Sequence, residues 1–483
     1  MTPELILLVI GLYFLLLVGI SWYTSRHADS HDYYIGNKKS IWWLVALGMI
    51  SDSLSGVTFI SVPGNVFGDK FSYMQVVFGY VIGNFITAYV LLPLYYKLNL
   101  TSIYSYLGQR YGNTSQKTGS FFFLLSRTLG AAARLFLAAG VLQTYLFEPF
   151  HIPFPVSILI IITLILIYTY RGGIKSLVFT DALQSVFLLG ALTLTLVNLY
   201  RYIDWNTAWN IVESNNFNQV FVWDWLPKNN FFKMIIGGIL VAVTMTGMDQ
   251  NMMQKNLSCK NINEARKNIL SYNSTLIIIN FFFLSLGVLL YVFATQHSIE
   301  LPMNGDKVAT DKMFPMMAFN HLGELAGLIF IVGLTAATFS SADSVLTTLT
   351  TSFCIDFLKF NPESAETRKD RNTRHLTHIM FAMAILISIL LIQQFNDGAI
   401  ITTILTVAGY TYGPLLGMFA FGIFTKIKIH DHRIIPVCIA APVLTYFIDL
   451  NLPLITNGFQ LGFLNLAVNG ILTFMGLWII KQR

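Results

Sequence analysis

The stretch Gly48-Met49-Ile50-Ser51-Asp52-Ser53-Leu54-Ser55-Gly56 interrupts an otherwise apolar segment of membrane-spanning length. A second interruption follows at Thr244-Met245-Thr246-Gly247-Met248-Asp249-Gln250-Asn251. A helix in lipid must satisfy its own backbone N–H and C=O groups, so such polar runs survive only around a protein-lined cavity. Two of them, each opening a comparable series of spans, point to the central site of a secondary transporter.

Composition agrees. Of 483 residues, 55% are hydrophobic and only 11% charged, with a mean hydropathy of +0.62, against about 25% charged in soluble chains. The chain reads as an all-α integral membrane protein forming one transporter domain over 1–483. Segments near the ~20-residue span length lie at 4–25, 41–63, 71–96, 118–147, 153–170, 176–200, 231–253, 266–294, 318–357, 374–394, 398–424, 432–449 and 459–480. Thirteen transmembrane helices are therefore expected, the first retained and not cleaved as a signal peptide. The loops alternate in charge: one set, taken with the C-terminus, holds 22 of the 30 Lys and Arg residues, among them Lys255, Lys260 and Arg374. By the positive-inside rule the N-terminus is external and the C-terminus cytoplasmic. The net charge of +6 thus reflects topology, and no nucleic-acid partner is implied. The connection from Arg201 to Lys233 is expected to form an ordered external cap, and Glu363 to Arg374 a solvated loop. Cys259, Cys354 and Cys438 lack ligand or pairing spacing and read as buried packing residues.

Within spans, Asp52, Arg127, Arg134, Asp181, Asp249 and Asp343 are the ionisable groups, each expected to face a cavity or a partner. Ala337, Ser340, Ser341, Ser344 and Thr348 share one helical face and offer neutral oxygens suited to a hard cation. Close helix packing is an equal reading of small residues in such a stripe. Unwinding around Ser51 to Leu54 would free carbonyls of the kind that hold Na+ in broken-helix transporters. The resulting shell combines two carbonyls from that stretch and one at Ala337 with the Ser340 and Ser341 hydroxyls. Lacking formal negative charge, it favours reversible capture of a monovalent ion. Asp181 and Asp343 are candidates for a second ion site or a proton relay. No HExxH motif or nucleophile–base pairing supports an enzyme.

Ser55-Gly-Val-Thr-Phe-Ile-Ser-Val-Pro63, Gly172-Gly173 through Thr180-Asp181, Asp249-Gln250 through Gln254-Lys255, Phe339-Ser340-Ser341 and Gly409-Tyr-Thr-Tyr-Gly-Pro-Leu-Leu-Gly417 together resemble the sodium/solute symporter family. The resemblance implies a 5+5 inverted-repeat core with a discontinuous first helix in each repeat. Repeat 1 would cover 41–200 and repeat 2 231–424, with helix 4–25 and two helices in 432–480 peripheral. It places the principal Na+ on Ser51, Leu54, Ala337, Ser340 and Ser341. A second Na+ or a proton would fall on Asp181, Ser340, Asp343 and Ser344, the family having a hydroxyl where this chain has Asp343. Its substrate positions fall on Ser53, Ser55, Gly56, Thr58, Tyr73 and Asp249. Arg134 matches the arginine that holds the substrate carboxylate in the sialic acid branch. Val77 replaces a glutamine of that branch, and Asp249 an asparagine of the sugar carriers. The resulting expectation is Na+-coupled symport of an organic solute into the cytoplasm, favouring an anionic sugar acid such as sialic acid. The alternative is a neutral sugar, polyol, amino acid or small monocarboxylate, with Arg134 paired to Asp52 or Asp249. An anionic solute would need more than one Na+ for net inward charge. The expected location is the bacterial inner membrane, as a monomer or weak oligomer in the lipid bilayer.

Overall fold

Polar, loosely helical sequence between apolar flanks produces two sharply bent helix pairs. The computed structural model describes residues 2–26, 33–34, 36–305, 307–361, 366–395 and 400–482. The first pair, Trp42–Ser53 and Gly56–Asp69, bends by 59° across Leu54 (φ −93°, ψ 72°) and Ser55 (φ −70°, ψ 174°). Helical geometry therefore extends through Ser51–Ser53, and the break lies one to two residues later than the sequence suggests. The second pair, Phe231–Gly247 and Gln250–Leu257, also bends by 59°. Here Asp249 caps the new helix by accepting from the Met252 amide at 3.2 Å, the usual reason an acidic residue starts a helix.

The expected apolar segments fall on helices. Among the described residues, ten helices are long and apolar enough to cross a membrane, or twelve if each bent pair is one span, and Phe154–Tyr170 is a shorter apolar helix. Gly173 (φ 52°) ends that helix; a Cβ there would lie 2.5 Å from Tyr33 Cα. The segment expected at 318–357 starts later than expected: Thr310–Asn320 is a separate helix, and Glu324–Ser352 begins after Gly323. The start of the segment expected at 398 lies outside the described residues. Likewise only part of Glu363–Arg374 is described. From Arg368 it is helix, not loop, and Arg374 is buried on Glu366 (2.8 Å) and over the Tyr33 ring.

Small residues set the helix spacing. On Gly79 a Cβ would sit 2.4 Å from Ile235 O, and on Gly83 2.4 Å from Ile239 O, so the Tyr73–Ile86 and Phe231–Ala242 helices nearly touch backbones. Gly409, Gly413 and Gly417 accommodate Asn465, Asn469 and Thr473 in the same way. The Glu324–Ser352 helix is buried on every side from Gly333 to Ser352, as befits a central element. In contrast Pro3–Ser25 exposes Leu7, Leu8, Leu12 and Leu15, a lipid-facing pattern. The three cysteines are buried and unpaired. The connection from Arg201 to Lys233 carries the Trp205–Ser214 helix. It is fastened by Lys233, which donates to the Leu226, Pro227 and Gln460 carbonyls.

Candidate functional site

The first break meets the serine-rich face of the central helix. Ser51 Oγ lies 2.7 Å from Ser340 Oγ and 3.0 Å from the Asp181 carbonyl. Among the described residues, no hydrogen bond reaches the Ser51 or Leu54 carbonyls, leaving both available as ion ligands. Ser340 donates to Asp181 Oδ1 at 3.1 Å, and Ser344 to Asp181 Oδ2 at 3.0 Å. Further along the face, Thr348 donates to Asn251 Oδ1 at 2.9 Å. Ser341, on the same turn, donates to the Thr338 carbonyl at 3.0 Å. Carbonyls and hydroxyls of this type suit Na+. The sequence suggested a shell without formal negative charge of its own; the Asp181 carboxylate touches one of its hydroxyls.

Asp343, one residue before Ser344, turns elsewhere. Tyr168 OH donates to its Oδ2 at 2.8 Å, while Oδ1 has no partner. The structure therefore joins Asp181, Ser340 and Ser344 but leaves Asp343 out of that group.

Lys255 is the residue that sequence reasoning misplaced. Far from being a cytoplasmic loop cation, it is 1% exposed on the helix after the second break. Its Nζ lies 2.7 Å from Asp181 Oδ2 and 3.2 Å from Asp52 Oδ2. Asn251 donates to the same Asp52 oxygen at 2.6 Å. One signal was present in the sequence. Four buried aspartates against two arginines leave a shortage of cations, and the second broken span needed to run only to Leu257 to supply one.

Arg127 and Arg134 differ. Arg127 Nε lies 2.6 Å from Asp249 Oδ2, and Tyr412 OH donates to the same oxygen. Arg134 has no ion-pair or hydrogen-bond partner among the described residues. The expected alternative pairing of Arg134 with Asp52 or Asp249 is thus overturned: those carboxylates are taken by Lys255 and Arg127.

Arg134 instead lines a cavity of about 910 Å³ beside the first break, together with Asp52, Ser53, Ser55, Thr58 and Tyr73. The sequence missed Tyr272, whose OH pairs with Ser53 Oγ at 2.5 Å, and Tyr80, whose OH lies 3.4 Å from that of Tyr73. Two expected contact residues are absent from the lining. Gly56 turns to the central helix, where a Cβ would meet Thr338 Oγ1 at 2.6 Å. Asp249 is occupied by Arg127 and Tyr412. A larger recess of about 1390 Å³ shares Tyr73 with this cavity and contains Asp69, Lys228, Tyr410 and Asp449.

Two bent helix pairs, a polar cavity against one of them and an oxygen cluster behind it define a secondary transporter. A model of the sodium:solute symporter family matches residues 33–429, and the chain belongs to that family. The sodium/sialic acid symporter NanT of Aliivibrio fischeri is 26% identical over 424 residues, covering 85% of this chain and 80% of the relative. The sodium/sialic acid symporter SiaT of Proteus mirabilis is 24% identical over 426 residues, covering 85% and 82%. A solved structure described as the substrate-bound outward-open state of a Na+-coupled sialic acid symporter superposes with a TM-score of 0.83 at 19% identity, covering 98% of this chain and 97% of the other. The protein is a multi-pass, Na+-coupled solute symporter, with sodium as its coupling ion, and not an enzyme.

Proposed function

We propose that the transported solute is an anionic sugar acid, sialic acid foremost, carried into the cytoplasm with Na+ by alternating access. The observation that carries this reading is Arg134, a guanidinium without a partner among the described residues that lines a cavity rich in hydroxyls. A planar, permanently charged fork is matched to a carboxylate, while Ser53, Ser55 and Thr58 offer hydrogen bonds to sugar hydroxyls. The names of the two sialic acid relatives support the same class. Na+ is assigned to the Ser51 and Leu54 carbonyls, the Ala337 carbonyl and the Ser340 and Ser341 hydroxyls. Occupation of this shell pins the first break to the central helix and organises the cavity above it. Solute binding then closes the cavity, and the core rocks until the ion shell opens inward. This reading uses thirteen crossings, with inverted repeats at 41–200 and 231–424. It places the N-terminus outside and the C-terminus inside a bacterial inner membrane, in a monomer or weak oligomer.

Arg134→Ala tests it in proteoliposomes with an imposed Na+ gradient. Loss of a charge-assisted contact of ~1.5–3 kcal/mol weakens apparent sialate affinity roughly 10- to 150-fold. Arg134→Lys keeps the charge but not the fork and should fall between. Unchanged sialate uptake by the alanine variant refutes the carboxylate assignment.

A further inference from the structure

We propose that the Lys255 ammonium is a tethered coupling cation: it holds the position at Asp181 that a second Na+ would otherwise take, so this chain binds a single Na+. The inference rests on the Na+ shell proposed above. Asp181, Ser340 and Ser344 bring one carboxylate and two hydroxyl oxygens together, a donor set of the kind a hard cation takes. That set already has its cation. Lys255 Nζ stands 2.7 Å from Asp181 Oδ2, the same oxygen that accepts from Ser344. Lys255 is 1% exposed, and its Nζ also lies 3.2 Å from Asp52 Oδ2.

Charge balance points the same way. Buried charges must be compensated at short range. Two carboxylates and one ammonium leave Asp52, Lys255 and Asp181 with a net charge of −1. One Na+ at the adjoining Ser51–Ser340 junction cancels it, and a second would leave an excess positive charge. Arg127 and Asp249 cancel each other, and Asp343 faces Tyr168 instead of this group. On the solute side, the lone positive charge of Arg134 matches a monoanion. Asp343 aside, these groups are neutral with one Na+ and one monoanionic solute, and uptake of one such solute with one Na+ moves no net charge.

Lys255 also joins the two compartments of the site. Asp52 lines the solute cavity, whereas Asp181 contacts the ion shell through Ser340. Both draw on the same ammonium. Removing that ammonium leaves a net charge of −2 and frees the place beside Asp181.

The test is equilibrium binding of radioactive Na+ to the purified full chain in detergent, without solute, so that solute identity does not enter. The wild type should bind one Na+ per chain with a Hill coefficient of 1. Lys255→Gln should bind two, and Lys255→Arg one. Two or more Na+ per wild-type chain overturns the proposal while leaving Na+ coupling intact, as does a folded Lys255→Gln variant that still binds one. If that variant does not fold, the wild-type count decides. Absence of any bound Na+ overturns instead the ion shell on which the inference rests.

Discussion

Ser340 is where the ion shell and the buried carboxylate meet, so Ser340→Ala separates loss of a ligand from loss of structure. Its Oγ makes two contacts, with Ser51 Oγ at 2.7 Å and Asp181 Oδ1 at 3.1 Å. Ser51 retains the Gly48 and Asp181 carbonyls. Asp181 keeps Ser344 and Lys255 on Oδ2, but its Oδ1 loses the one hydrogen bond it has among the described residues. The Na+-free protein should therefore lose about 1–3 kcal/mol, the cost of one orphaned buried acceptor. Bound Na+ loses one oxygen of its proposed five, a contact to a charged group of about 1.5–3 kcal/mol. That corresponds to roughly 10- to 150-fold in Na+ affinity. Linkage makes the difference visible without transport. At Na+ equal to 100 times the wild-type Kd, binding stabilises the folded protein by ~2.7 kcal/mol. A variant weakened 10- to 100-fold retains roughly 1.4 to 0.4 kcal/mol of that. The assay is the Na+-dependent rise in thermal unfolding temperature of purified protein, repeated as the Na+ dependence of uptake. An unchanged Na+ midpoint in both refutes the assignment. A large loss of stability in Na+-free buffer refutes the claim that Ser340 is dispensable to the fold.

Two further outcomes follow from the packing and charge pairs. Asp249→Asn leaves Arg127 buried without its counter-charge. It should destabilise by about 3–5 kcal/mol, whereas replacing both residues by leucine should recover much of the loss; thermal unfolding in detergent compares the three variants. Gly79→Leu forces a side chain into space where even a Cβ would lie 2.4 Å from Ile235 O. It should lower the unfolding temperature and the yield of monodisperse protein, while Gly11→Leu, with nothing within 4 Å of its Cβ position, should not.

The parts of the site that sequence made legible are those governed by local chemistry. Polar residues inside an apolar span compete with helical hydrogen bonds, so both breaks were visible, though Ser51–Ser53 kept helical geometry and the bend fell on Leu54 and Ser55. The helical period placed Ser340, Ser344 and Thr348 on one face, and each finds a polar partner across it. Asp343 illustrates the limit. It lies one residue from Ser344, but a side chain 100° around the helix meets a different neighbour, and that neighbour is Tyr168.

Hydropathy, charge alternation and period by themselves determined that this chain is a helical membrane protein with two interrupted helices and a hydroxyl-lined face. These properties arise within a few turns of chain, where backbone satisfaction and lipid exclusion act residue by residue. Only tertiary structure decided which charge answers which. Lys255 reaches Asp52 across 203 residues and Asp181 across 74, and Arg127 reaches Asp249 across 122. In a low-dielectric interior, a shift of a few ångströms decides whether a cation is paired or left for a ligand. No sequence interval encodes that distance, and for that reason Arg127 and Arg134, two turns apart on one helix and alike in the sequence, differ in the fold: one is paired and the other faces the cavity.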